Sequence, residues 1–327
     1  MTIRYIINRF NQLKHDYIGE TSALRTCCLW AGWLTDFLIY GASISDYFAY
    51  GFYKLRSRGK QEYITYRRFH YILRKANDPK DIDICRSKIH FNEYFADLLG
   101  REWLDTRKAT AEDIKQFAGR HPYFFVKEIL SFRGIGVSRM ESLGLDAEKM
   151  LHEWTKDLQT HYILEEPLTE IESIQEFHPW SINTIRIVTL YDTTTGIVHF
   201  MNARLRMGNK KNNVDNFHFD GIGANIDIDS GIINGVGYDA RNRTYLVHPL
   251  TGKQIIGFQM PQWEECKRFI ESAARRMPTV RYVGWDLVVR PDGTMCLIEA
   301  NDNADHDFQQ LHNKGLWKEY KAILKHF

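Results

Sequence analysis

The chain has 327 residues and a formal net charge of +2, with 44% hydrophobic and 13% aromatic residues. That near-neutral balance removes any global electrostatic drive toward nucleic acid, and the length allows two or three subdomains with ample core. The five cysteines, Cys27, Cys28, Cys85, Cys266 and Cys296, are odd in number and none has CxxC spacing, which argues against a disulfide framework or zinc site and fits a reducing cytoplasm.

Residues 1–84 read as a helical N-terminal region. Its start is polar and basic, without the apolar core of a signal peptide. The most apolar run, Cys27 to Tyr53, is interrupted by Asp36, Asp46 and three glycines. No piece of it reaches the ~20 apolar residues of a membrane span, although its aromatics leave room for peripheral membrane contact. The aromatic cluster Tyr47 to Tyr53 and the basic run Lys54 to Lys60 suggest a partner surface, with a small helical subdomain as the plainer alternative. Asn77-Asp78-Pro79 is a break.

Residues 85–168 form the next unit. Ser87 to Leu99 predicts a helix stopped by Gly100, with Lys88 in its first turn. After a short helix at Ala111 to Gly119, Tyr123 to Ile129 predicts a strand whose single cation is Lys127. A buried lysine needs an anion. The following loop, Ser131 to Ser138, holds Gly134 and Gly136, and a strand lysine before a glycine loop is a phosphate-cradling layout. A helix from Asp146 to Leu158, a strand from His161 to Glu165 and the acidic Glu165-Glu166-Pro167-Leu168 hinge complete the unit.

Residues 169–327 are β-rich. Thr184 to Tyr191 and Ile197 to Met207 predict strands carrying Arg186, Arg204 and Arg206, whose guanidinium forks suit phosphate or carboxylate. Gly208 to Phe219 is a long polar loop, the kind that carries function. Short strands follow at Ala224 to Asp229, Gly231 to Val236 and Thr244 to His248, then a helix at Pro261 to Met277 and a final helix at Asp307 to His326. Between those helices, Val283 to Val289 and Thr294 to Glu299 flank a Pro291-Asp292-Gly293 turn and predict a hairpin. An acid inside an apolar strand needs compensation. Residues i and i+2 share a face, so Asp286, Glu299 and Asn301 would converge as three hard oxygen ligands suited to Mg²⁺, the alternative being an exposed antiparallel hairpin with acids on its wet face.

This order of elements resembles the ATP-grasp superfamily, and within it the sugar-transfer-associated branch. The matching stretches are Ser181 to Arg186, Asp215 to His218, His248 to Gly252, Gly284-Trp285-Asp286 and Glu299-Ala300-Asn301. The resemblance implies an α+β fold, with two α+β subdomains gripping ATP. It implies that Lys88 and Lys127 hold the phosphates and that Gly134, Gly136 and Ser138 form the lid. Glu165, Glu166 and Leu168 would meet the adenine, and Glu172 the ribose. Asp286, Glu299 and Asn301 would hold two Mg²⁺ ions, and Arg186 and Arg204 would face the transferred phosphoryl group. One departure concerns the arginine that many such ligases carry two residues before the first metal acid: here Gly284 stands there, and Arg204 is nominated in its place.

The resemblance further implies an ATP-dependent carboxylate–amine ligase that works through an acyl-phosphate on a glycan precursor of the cell surface. Lys210, Lys211, Asn216, His218 and Asn303 are the nominated substrate contacts. A sugar-hydroxyl kinase and a non-catalytic partner of a glycosyltransferase are the alternatives.

Overall fold

A computed structural model describes residues 2–129, 136–156, 161–210, 221–310 and 314–327. Helices come first: α1 (Ile3–Ile18), α2 (Ala23–Tyr40), α3 (Ile44–Ala49), α4 (Ser57–Lys60), α5 (Tyr66–Ala76), α6 (Asp83–Arg86) and α7 (Lys88–Tyr94). Local chemistry sets their starts. Thr2, Ser22 and Ser43 cap α1, α2 and α3 through their hydroxyls, and Asp46 completes a capping box with Ser43. Phe10, Trp33, Tyr47, Phe48, Tyr50 and Phe52 are buried together. The aromatic cluster after Asp46 is therefore the core of this region and not a surface. Helix α7 is shorter than its sequence predicts, because the chain leaves helical geometry after Tyr94.

A four-stranded antiparallel sheet follows, in the order β1-β4-β2-β3. It comprises β1 (Trp103–Asp105), β2 (Tyr123–Glu128), β3 (Val137–Glu141) and β4 (Tyr162–Glu165). Helices α8 (Ala111–Arg120) and α9 (Ala147–Thr155) cover it through Ile114, Phe117 and Trp154, which pack on Phe124, Val126 and Leu164. The sequence does not announce β1 or β3. The first is three residues long, and the second is an edge strand with mostly exposed side chains and no apolar alternation.

After α10 (Glu172–Gln175), a seven-stranded antiparallel sheet runs in the order β11-β10-β5-β6-β7-β8-β9. Its strands are β5 (Thr184–Asp192), β6 (Ile197–Met207), β7 (Ile222–Ile226), β8 (Gly237–Asp239), β9 (Thr244–Tyr245), β10 (Tyr282–Val289) and β11 (Met295–Asn301). Strand side chains alternate between faces. One face sends Ile185, Ile187, Ala203, Leu205, Trp285 and Leu287 into the main core, under α11 (Trp263–Arg275). The other face carries the charged row described below. At its Val188–Leu190 end that face is covered by α5 and by α13 (Trp317–Ile323), which follows α12 (His306–Gln310).

Several further predicted elements differ. The segment read as a strand at Gly231 to Val236 makes isolated bridges, Ile226 to Ile233 and Ile232 to Gln259, and the strand before it begins earlier, at Ile222. The final helix is not continuous. A Cβ on Gly315 would lie 2.3 Å from the Glu62 carbonyl oxygen. The chain at 314–316 passes against that backbone instead of coiling, and Trp317 N–H donates to Glu62 O at 2.8 Å.

Candidate active site

The β10–β11 hairpin sets Asp286 directly opposite Glu299 and Gly284 opposite Asn301, with a bulge after Asp286. Across the sheet Asp286 pairs with Arg186 on β5, and Arg186 with Arg204 on β6. A single row of facing residues therefore runs Glu299, Asp286, Arg186, Arg204. Asp286 is buried, and both its oxygens are engaged. Arg186 donates through Nε and, at 2.7 Å, through Nη2, while Arg206 Nη1 donates at 2.8 Å. Burial alone would raise the Asp286 carboxyl; the charges of Arg186 and Arg206 override it and hold the group below the usual carboxylate range. Glu299 stays open to solvent. Its carboxyl is pushed above the usual range, first by burial among the surrounding protein and then by the charge of Asp286. A cation would offset both effects, so this oxygen-rich edge fits Mg²⁺, with Glu299 as the open ligand and Asn301 beside it on the same face.

Gly284 is explained by its neighbours. A Cβ there would sit 2.4 Å from the Ala304 Cβ and 3.3 Å from the Arg186 Cδ. Arg186 occupies the space that an arginine at 284 would need. Arg204, nominated by sequence for the phosphoryl group, is instead fully buried. It donates to Asn202 Oδ1 at 3.2 Å, to Gln309 O at 2.8 Å and to the Tyr238 hydroxyl, and lies over the Tyr238 and Phe308 rings. It ties the sheet to α12. Arg206, one alternation along the strand, is the β6 guanidinium that joins Arg186 at Asp286.

The two lysines arrive from outside this sheet. Lys88 opens α7 and lies within electrostatic reach of Glu299, Lys127, Glu165 and Glu128. Burial lowers its pKa most, with Glu299 pulling the other way. Lys127 on β2 donates to Glu165 Oε2 at 2.6 Å. The buried Glu165 carboxylate is turned onto Lys127 and Arg101, which leaves its backbone for the hinge contact with adenine that the resemblance implies. Arg101 Nε and Nη2 donate to the carboxylate at 3.1 and 3.2 Å. Burial would raise the Glu165 carboxyl; Arg101 and Lys127 hold it far below the usual range. Arg101 also donates to the Leu297 carbonyl at 2.7 Å, two residues before Glu299 on β11. It links the small sheet to the hairpin, and sequence reading missed it because nothing local marks an arginine whose partners are about 64 and 196 residues away.

The hinge residues lie along one edge. Glu166 accepts from Glu102 N–H at 2.8 Å, Leu168 is half-buried, and Glu172 is exposed at the start of α10. In the lid, Gly136 has φ +71° and packs against the Glu128 side chain, and Ser138 is exposed on β3. Gly134, Lys211, Asn216 and His218 lie outside the described residues. Lys210 is exposed, and its carbonyl accepts from His178 Nε2 at 2.7 Å. Next to His178, His248 donates from Nε2 to Gly208 O at 2.7 Å. Both imidazoles are fully buried, so the His248 to Gly252 motif braces the chain just before residue 211. Within Ser181 to Arg186, Asn183 is clamped by the buried Glu170 carboxylate, with both oxygens accepting from its backbone N–H at 3.0 to 3.1 Å. Asn303 is exposed just beyond the hairpin.

Two antiparallel sheets with their covering helices, the larger one carrying the Asp–Glu–Asn hairpin, form the α+β fold of an ATP-grasp protein. More narrowly, the chain belongs to the family described as sugar-transfer associated ATP-grasp, whose profile matches residues 146–325. Lys88 and Lys127 lie before that stretch. No curated protein matches the chain in sequence. Among solved structures it is similar to the ATP-grasp ligase PsnB complexed with minimal precursor, at 14% identity and a TM-score of 0.47 over 77% of this chain and 64% of that one. It is also similar to D-alanyl-alanine synthetase A from Vibrio cholerae, at 12% identity and a TM-score of 0.46, covering 76% of this chain and 67% of that one. The biotin carboxylase domain of the Hydrogenobacter thermophilus 2-oxoglutarate carboxylase gives 15% and 0.48, over 77% and 48%. The chain thus spans about two-thirds or less of these proteins.

Proposed function

We propose that the protein is an ATP-dependent carboxylate–amine ligase that activates a carboxylate as an acyl-phosphate, acting on a glycan precursor of the cell surface. The observation that carries this reading is that Lys88 lies within electrostatic reach of both Lys127 of the small sheet and Glu299 of the C-terminal hairpin. Two neighbouring ammonium groups, one of them close to an open carboxylate, suit a polyphosphate bound with a divalent cation. Phosphoryl transfer needs little else from the protein beyond positioning and charge neutralisation. Lys127, held by Glu165, and Lys88 bind and orient the phosphates. Glu299 and Asn301 would hold Mg²⁺, which when bound supplies neutralising charge to the phosphates; Asp286, the third ligand expected from sequence, has both oxygens engaged by Arg186 and Arg206. Arg186 and Arg206 keep Asp286 ionised. The Gly136–Ser138 side of the small sheet, with the Glu166–Leu168 backbone and Glu172, bounds the nucleoside and excludes water. Asn303 and the segment following Lys210 would meet the acceptor.

The test is ATP turnover with Mg²⁺, hydroxylamine and a panel of hexuronic acids and amino acids. Hydroxamate formation is expected with one acid. A phosphorylated sugar without hydroxamate would establish a kinase instead, and turnover with no product in any arm would reject both.

A further inference from the structure

The short helix α6 ends one residue before the helix that opens with Lys88, and it is tied to the chain just beyond Asn301. Arg86, the last residue of α6, donates from Nε to Asp302 Oδ1 at 3.2 Å and from Nη2 to Asp302 Oδ2 at 2.8 Å. Asp302 follows Asn301 directly. Two parallel bonds between planar groups fix direction as well as distance. The Asp302 backbone is held from the same part of the chain. Asn77 Nδ2 donates to the Asp302 carbonyl at 3.0 Å and to the Tyr282 carbonyl at 2.9 Å, while Asn77 Oδ1 accepts from Tyr282 N–H at 2.8 Å.

The path from Arg86 to Lys88 is short and stiff. Ser87 alone separates them; it is buried, and its hydroxyl caps α7 by accepting from His90 N–H. The Ser87 N–H donates to the Asp83 carbonyl at 2.9 Å. Cys85 of α6 and Phe91 of α7 pack in the same core as Leu297 and Ala300 of β11. A shift of Lys88 relative to Glu299 and Asn301 would therefore require α6 to slide on β11 or the Arg86 fork to open. Stability alone does not account for the ion pair. The Arg86 side chain is half exposed, and a pair of that exposure contributes at most about 1 kcal/mol. Its effect on geometry is larger, because a misplacement of about 1 Å at a reacting centre costs roughly a hundredfold in rate.

We propose that Arg86 and Asp302 are a positioning pair, which sets Lys88 and the Glu299–Asn301 edge at one spacing and so matches the site to a triphosphate carrying a divalent cation. Neither residue touches the nucleotide. Lys88 meets phosphate, Glu299 and Asn301 meet the cation, and the pair fixes the gap between them, as residues that orient metal ligands do. The inference rests on the ATP reading above.

The experiment is calorimetric titration of the full chain with AMP-PNP and Mg²⁺, and separately with AMP, which lacks the β- and γ-phosphates. Arg86→Gln and Asp302→Asn are each expected to weaken AMP-PNP–Mg²⁺ binding about tenfold or more, the factor typical of removing a residue that orients a metal ligand. AMP binding and the thermal midpoint of the free protein are expected to stay unchanged, which separates lost positioning from lost folding. The double variant is expected to lose no more than either single one, since the two partners of one contact are not additive. Arg86→Lys, which keeps the charge but not the fork, is expected to fall in between. AMP-PNP–Mg²⁺ binding untouched by Arg86→Gln, equal weakening of AMP, or additive losses overturns the inference and leaves the ATP reading standing. A wild-type chain that does not bind AMP-PNP with Mg²⁺ overturns that reading and the inference with it.

Discussion

Asp286 and Glu299 face each other across one hairpin, yet their surroundings give them different work. Asp286 balances two guanidiniums in a buried row, so Asp286→Asn leaves Arg186 and Arg206 without their charge partner. A loss of about 3–5 kcal/mol is expected, the cost of breaking a buried pair, measured by urea denaturation. Glu299→Gln should leave stability unchanged or slightly raised, because it relieves repulsion with Asp286, while ATP turnover falls at least about a hundredfold. Equal stability losses in the two variants would contradict this division. Arg101→Met removes a donor from Glu165 and from the Leu297 carbonyl. An expected cost of about 3 kcal/mol should accompany a raised KM for ATP, since Lys127 then loses its fixed counterion. Sequence made Asp286, Glu299 and Asn301 legible, because acids in an apolar hairpin demand a reason. It could not separate Arg204 from Arg206: both are arginines on the same face of one strand, and only Tyr238 and α12 closing over the first decides which is buried.

Between elements, a buried charged contact helps bind the N-terminal helices to the end of the C-terminal unit. His306 of α12 stacks on Phe69 and pairs with Asp46 Oδ1 at 2.9 Å, while the other Asp46 oxygen accepts from Ser43 and Tyr66 N–H. Burial would lower the His306 pKa, but Asp46, with Asp307 and Asp305 adding to it, raises it above the usual imidazole value. A group raised in the folded state stabilises fully below its unfolded pKa, about 6.5, and that contribution is lost as pH rises through the folded value. Thermal midpoints measured upward from pH 6.5 should therefore fall, and His306→Gln should flatten that slope. An unchanged slope would show that the pair contributes nothing. Gln310 strengthens the same junction by bonding both the N–H and the carbonyl of Ile64. None of this is readable locally, since Asp46 and His306 lie 260 residues apart.

For the whole molecule, the two sheets are linked where Arg101 reaches from Glu165 to β11, with Lys88 within electrostatic reach of Glu299, so a ligand bridging them should stabilise both together. ATP with Mg²⁺ at about 100 times its Kd is expected to add about 2.7 kcal/mol, read as a raised thermal midpoint that Glu299→Gln diminishes. A nucleotide that leaves the midpoint unmoved would argue against a site between the sheets. The sequence by itself determined the elements with strong local signals: capped helices, the β5–β6 arginine strands and the hairpin with its turn. It also determined the chemistry of that hairpin, since buried acids are costly wherever the chain places them. Only the tertiary structure decided the assignments that depend on distant partners. Glu165 became the anchor of Lys127, Arg206 joined Arg186 at Asp286, Gly284 yielded its space to Arg186, and the aromatic run near Tyr50 turned inward with Leu29 while Leu24, Leu34 and Leu38 of α2 stayed outside. The physical reason is that a side chain's role follows from what closes over it, and in this protein the closing groups come from elements remote in the chain.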